Sequence, residues 1–191
     1  RAAEGAGGFR RGLIILAQFQ DLSFGHSRED FEKMVNGSDG KTALSYFRSQ
    51  WKDYYSFQFD ITDIVTLPQD HAYYGTNDEN GQDKQAAQMV VDACEAVAEK
   101  VDFSLYDNDG DGEVDNVFIF FAGPNESEGA GDNFIWPHMW YLEESNMAQT
   151  LDGVRINTYA CSSELNGSGS LDGIGTFCHE FTHCLGYPDF Y

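Results

Sequence analysis

The chain has 191 residues, 41% of them hydrophobic and 15% aromatic, enough to bury the core of one domain. Its 32 acidic residues against 11 basic ones give a net charge of −21, which repels nucleic-acid backbones and anionic lipid surfaces alike. No apolar run approaches the roughly 20 residues that span a bilayer, so neither nucleic-acid binding nor membrane insertion is expected.

The opening RAAEGAGG lacks the apolar segment of a signal peptide, and residues 1–9 read as a flexible lead-in. GLIILAQF, residues 12–19, has the length and composition of a core strand. Ser27 and Asp30 have capping-box spacing and open a short helix through Val35. After a Gly/Asn/Ser/Asp turn, Thr42 caps a second helix, on which Leu44, Phe47, Trp51 and Tyr54/Tyr55 recur at helical spacing. FQFDITDIV, residues 57–65, alternates as a strand buried on one face. From Asp83 to Lys100 the apolar positions Ala86, Met89, Val90, Ala93 and Val97 predict a helix that backs a sheet.

DNDGDGEVD, residues 107–115, follows. Asp107, Asp109 and Asp111 fall at positions 1, 3 and 5 of a calcium loop, with Gly112 at the turn position. The Glu113 carbonyl and the Asp115 carboxylate would complete the oxygen set. Position 12 is Phe118 rather than glutamate, so the loop feeds a strand instead of a second helix. Hard oxygen donors that repel one another select Ca²⁺. NVFIFFAG, residues 116–123, predicts a central strand buried on both faces, and VRINTYA, residues 154–160, another strand. A Gly-rich loop lies between them, and its Glu126, Glu128 and Asp132 are weaker candidates for a second cation site. Strands and helices interleave as in a layered α/β or α+β domain.

The last helix carries the sharpest signal, within HEFTHCLGYPDFY, residues 179–191. His179 and His183 lie one turn apart on one helical face and can aim two nitrogens at one zinc, each about 2.0–2.1 Å away. Glu180 is placed to act as general base toward a water that the zinc activates. Gly186 permits the positive φ that ends the helix and returns the chain, so that Asp189 can be a third ligand. The four cysteines, Cys94, Cys161, Cys178 and Cys184, show no CxxC spacing and leave two readings open, buried thiols or one disulfide. His26 and His71 have no partner spacing and read as surface residues.

The HExxHxxGxxD pattern with its PD and tyrosine resembles the zinc signature of the immune inhibitor A family of secreted bacterial metallopeptidases, which is metzincin-like. RGLIILAQFQD, YYGTNDENGQDKQAAQMVVDAC, YDNDGDGEVDNVFIFFAG, IWPHMW and GIGTFCHE extend the likeness over residues 10–191. The resemblance implies a secreted zinc endopeptidase acting on protein or peptide substrates, with a twisted mixed sheet, a backing helix and an active-site helix. It implies His179 and His183 as zinc ligands, Glu180 as base, Asp189 as third ligand, and a place for His138 near the cleft, as substrate contact or brace. In metzincin-like peptidases the chain continues into a lower subdomain with a methionine turn, whereas all four methionines here precede the zinc helix. Residues 10–191 therefore read as the upper subdomain, completed by a missing C-terminal portion or a second chain. The alternatives are a calcium-stabilised surface or adhesion module with an inactive peptidase site, and a zinc hydrolase of non-peptide bonds. An intact His179/Glu180/His183 set argues against an inactive relic.

Overall fold

The computed structural model describes residues 8–51 and 54–188. In chain order the elements are β1 (Gly8–Gln18), α1 (Arg28–Asn36), α2 (Ala43–Gln50), β2 (Tyr55–Thr66), α3 (His71–Gly75) and α4 (Ala86–Val97). Then follow β3 (Val117–Phe121), β4 (His138–Tyr141), β5 (Gln149–Leu151), β6 (Val154–Ile156), β7 (Thr158–Ser163) and α5 (Ile174–Cys184). The main sheet has five strands in the order β2-β1-β3-β7-β4. Its first four are parallel and β4 is antiparallel. This is the mixed α/β sheet expected, with β3 in the middle and all five of its residues buried.

Side-chain alternation along β1 and β3 builds one core on each face. Leu13, Ile15, Ala17, Val117, Ile119 and Phe121 pack with Met89, Val90, Ala93 and Val97 of α4, the backing helix. Ile14, Leu16, Phe118 and Phe120 point the other way, onto Phe31 of α1, Phe47 of α2, and Phe177 and Phe181 of α5. The register, Leu13 opposite Val117 and Val117 opposite Tyr159, keeps like faces together across the strands. The Ser27–Asp30 capping box forms as expected, and Thr42 makes a second one with Ser45.

Three boundaries differ from the sequence reading. Gly8 and Phe9 already belong to β1, inside the expected lead-in, whose residues 1–7 lie outside the described residues. The second helix stops at Gln50, so Tyr55 opens β2 instead of extending the aromatic stripe. VRINTYA is not one strand. Asp152 and Gly153, both at positive φ (50° and 83°), make the two-residue turn of a β5–β6 hairpin, and the chain then bends at Asn157 into the main sheet. Asn157 is buried there because its backbone and side-chain oxygens accept the N–H groups of Leu142 and Glu143.

The two edges of the sheet are treated differently. On β2, Arg28 donates from Nε and Nη2 to the Ile61 carbonyl (3.1 and 2.8 Å), and Asn36 Nδ2 donates to the Phe59 carbonyl (2.9 Å). Those bonds close one edge to further pairing. No hydrogen bond among the described residues reaches the outer edge of β4 from a side chain or a loop.

Candidate metal centre

α5 is amphipathic in the manner a ligand-bearing helix requires. Phe177, Cys178 and Phe181 are buried against the sheet, which leaves His179 and His183 on the opposite face. Their Nε2 atoms are 3.2 Å apart, with the rings nearly perpendicular at 85°. Two nitrogens bound tetrahedrally to one ion at about 2.0–2.1 Å would stand about 3.3 Å apart, so the pair fits zinc without rearrangement. His183 Nδ1 lies 2.8 Å from the Tyr187 carbonyl, which can only accept, so Nδ1 carries the proton and Nε2 keeps its lone pair for a metal.

The Tyr187 carbonyl reaches that position because Gly186 takes φ +86°. The Gly186 N–H closes on the His183 carbonyl (2.8 Å) and the Tyr187 N–H on that of Thr182 (3.3 Å), turning the chain back over the histidines. Glu180 is mostly buried, its side chain 11% exposed, and its Oε1 stands 4.0 Å from His179 Nε2. Asp189, the expected third ligand, lies outside the described residues.

His179, Glu180 and His183 line one wall of an open cleft of about 740 Å³, and Trp136, His138, Met139 and Tyr141 line the facing wall on and before β4. His138 donates from Nδ1 to the Trp136 carbonyl (2.6 Å) and accepts at Nε2 from the Tyr159 hydroxyl (2.9 Å). Both ring nitrogens thus serve the protein, and His138 braces the start of β4 at the cleft. Residues 16–191 match the family model described as immune inhibitor A peptidase M6, catalytic domain.

The chain belongs to that family. Immune inhibitor A of Bacillus thuringiensis subsp. alesti is 26% identical over 227 aligned residues, which cover 94% of this chain and 33% of the relative. The pre-pro-metalloprotease PrtV of Vibrio cholerae serotype O1, strain M66-2, is 26% identical over 206 residues, covering 92% of this chain and 21% of the relative. The chain spans a third or less of the length of these curated relatives.

In this domain the acidic loop brings three of its expected carboxylates together. Carboxylate oxygens of Asp107, Asp109 and Asp111 lie within 4.8 Å of one another. The loop is folded by its own backbone: Asp107 accepts from the N–H groups of Gly110, Asp111 and Gly112, with Gly110 and Gly112 at positive φ. The Glu113 carboxylate pairs with Arg155 (2.7 Å), which leaves its carbonyl, the group expected at the ion, a separate matter. Asp115 accepts from the N–H and Nδ2 of Asn108 (2.7 and 2.8 Å) and pairs with Arg10 (3.3 Å); burial raises its carboxyl, against the Asn108 donors.

All four cysteines are thiols, three of them buried. His26 and His71 are not idle surface residues: Nδ1 of His26 meets Glu164 (2.8 Å), and Nδ1 of His71 meets Asp21 (2.7 Å). Sequence reading passed over Glu164. It is almost wholly buried and accepts N–H bonds from Gly25, His26 and Gly123, tying the loop after β1 to the end of β3. A carboxylate in a polar stretch gives no local sign of such burial, since its partners come from distant segments.

Proposed function

We propose that this domain is a zinc-dependent endopeptidase that cleaves protein substrates laid along the open edge of β4. The observation that carries the reading is the pair of Nε2 atoms 3.2 Å apart, in a cleft whose other wall includes β4, a strand with no second pairing partner among the described residues. A peptide can add to such an edge through main-chain hydrogen bonds, which brings its carbonyls past the metal centre. Zinc, when bound, supplies Lewis-acid polarisation of the scissile carbonyl and lowers the pKa of a water.

The chain's own residues do the rest. His179 and His183 hold the metal, with the Tyr187 carbonyl fixing the His183 tautomer. Glu180, one position along the helix from His179, takes the proton of the attacking water and returns it to the leaving amine. Asp189 is the third ligand in this reading. The cleft's open side receives the substrate.

Calcium belongs to the same proposal, held by Asp107, Asp109 and Asp111 with the Glu113 carbonyl and Asp115. The loop runs directly into the central strand β3, so an ion there would stiffen the frame that carries both cleft walls. Among the described residues no helix is long and apolar enough to cross a membrane. We place the protein outside the bacterial cell, in keeping with the protein substrates proposed. The test is metal content and casein hydrolysis of the full-length protein: one zinc per chain and hydrolysis, both lost in His183→Ala. A zinc-free active parent, or an active zinc-free variant, would overturn the reading.

A further inference from the structure

β4 borders a second cavity besides the metal cleft. Its residues alternate: Met139 packs on the α5 side, whereas His138 and Trp140 face Tyr159, on the α4 side. On that side lies a cavity of about 380 Å³ that shares Trp136 and His138 with the metal cleft. A peptide strand added to β4 alternates in the same way, sending every second side chain toward this cavity.

The chemistry of the cavity is specific. Trp136 and Trp140, each 52% exposed, line it. Asp83 and Glu126 bring two carboxylates. Asp83 Oδ2 accepts the Trp136 N–H (3.0 Å), while its Oδ1 lies beneath the cavity surface, shielded from water and without a donor among the described residues, so Asp83 acts on the cavity through its charge. Burial pushes the Asp83 carboxyl up to about 6, with Glu126 adding to the rise against the Trp136 N–H and His138. Glu126 is held by Asn77 Nδ2 (2.8 Å).

Two features oppose a cation here, and neither outweighs the carboxylates. Lys84 lines the cavity, but its ammonium also acts on Asp78, whose carboxyl is lowered first by the Gln82 N–H and further by Lys84. The first turn of α4, with Ala86 and Ala87, contributes about half a positive charge, less than the two carboxylates supply. An anion would be repelled by both carboxylates, and a purely apolar group would leave their charge unbalanced. A guanidinium or ammonium stacks on indole faces and answers the charge.

We propose that this cavity is a specificity subsite for a basic side chain, arginine or lysine, of the peptide lying on β4. The proposal rests on the endopeptidase reading for the peptide's placement. It is tested on the full-length zinc-loaded protein carrying Glu180→Ala, so that peptides bind uncut. The probes are decapeptides of Ala, Gly and Ser with one arginine moved through each position, each paired with its neutral citrulline twin. Titration calorimetry is run at about 0.3 M salt, where the attraction of a distant acidic surface is screened.

At one position arginine should bind about tenfold or more tighter than citrulline, the size expected of a charged hydrogen bond. That ratio should fall toward one when Asp83→Asn or Glu126→Gln is added, each keeping the acceptor its neighbour needs. A ratio near one at every position overturns the subsite, as does a preference that survives both substitutions. The same pairs offered to protein with Glu180 intact separate the two readings. Cleavage without arginine preference in kcat/KM removes the subsite and leaves the peptidase standing. Arginine-selective binding with no cleavage removes the peptidase and leaves the pocket.

Discussion

Asp83 is ionised at neutral pH in surroundings that disfavour its charge, and that has a consequence for stability. Its folded value near 6 lies above the ordinary carboxyl range, so between about pH 4 and 6 the folded chain holds a proton that the unfolded chain has lost. Stability from this group is therefore greatest below about pH 4, declines as pH rises to about 6, and is level above that. Asp83→Asn should melt higher than the parent at pH 7.5, and the difference should shrink toward zero near pH 4 in thermal melts. A difference independent of pH would contradict the assignment. The sequence could not announce this residue, because its environment comes from Trp136, 53 positions away. His179, Glu180 and His183 were legible for the opposite reason: their geometry is set within one helical turn, by spacing alone.

Among the elements, α5 depends on how closely it can approach the sheet. A Cβ on Gly12 of β1 would stand 2.9 Å from a Phe59 ring carbon and 3.2 Å from one of Phe181. Gly12→Ala should thus force both rings to shift and cost about 1–3 kcal/mol. Since Phe181 is adjacent to Glu180 on α5, affinity for the proposed zinc should fall together with the melting temperature. Unchanged values of both would show that the approach does not matter. The acidic loop at residues 107–115 gives a second test at this scale, that of the proposed calcium. Withdrawing Ca²⁺ at constant free zinc should lower the melting temperature by several degrees, and Asp109→Ala with Asp111→Ala should remove the response. A melt indifferent to Ca²⁺ would leave the loop as a self-capped turn. Helices and buried strands were readable from period and capping residues. The β6–β7 break at Asn157 has no local turn signal, since the Asp152-Gly153 turn precedes β6; Asn157 departs from the strand because Leu142 and Glu143, distant in sequence, bond to its oxygens.

Across the whole molecule, the interleaved order of strands and helices was enough to give a layered α/β domain with the strand at residues 117–121 in the centre. Which edge is closed and which open was beyond sequence reading. It depends on Arg28 and Asn36 reaching β2 carbonyls from another element, and on β4 pairing antiparallel beside α5. Among the described residues that asymmetry leaves the β4 edge open beside His179 and His183, and the proposed function rests on the coincidence. The most direct test is Glu180→Ala in the full-length protein, with zinc content and casein hydrolysis measured on the same samples. The account predicts parental zinc content with hydrolysis reduced at least ~10²-fold, because Glu180 moves protons and does not hold the metal. Parental turnover in a zinc-loaded Glu180→Ala protein would contradict it.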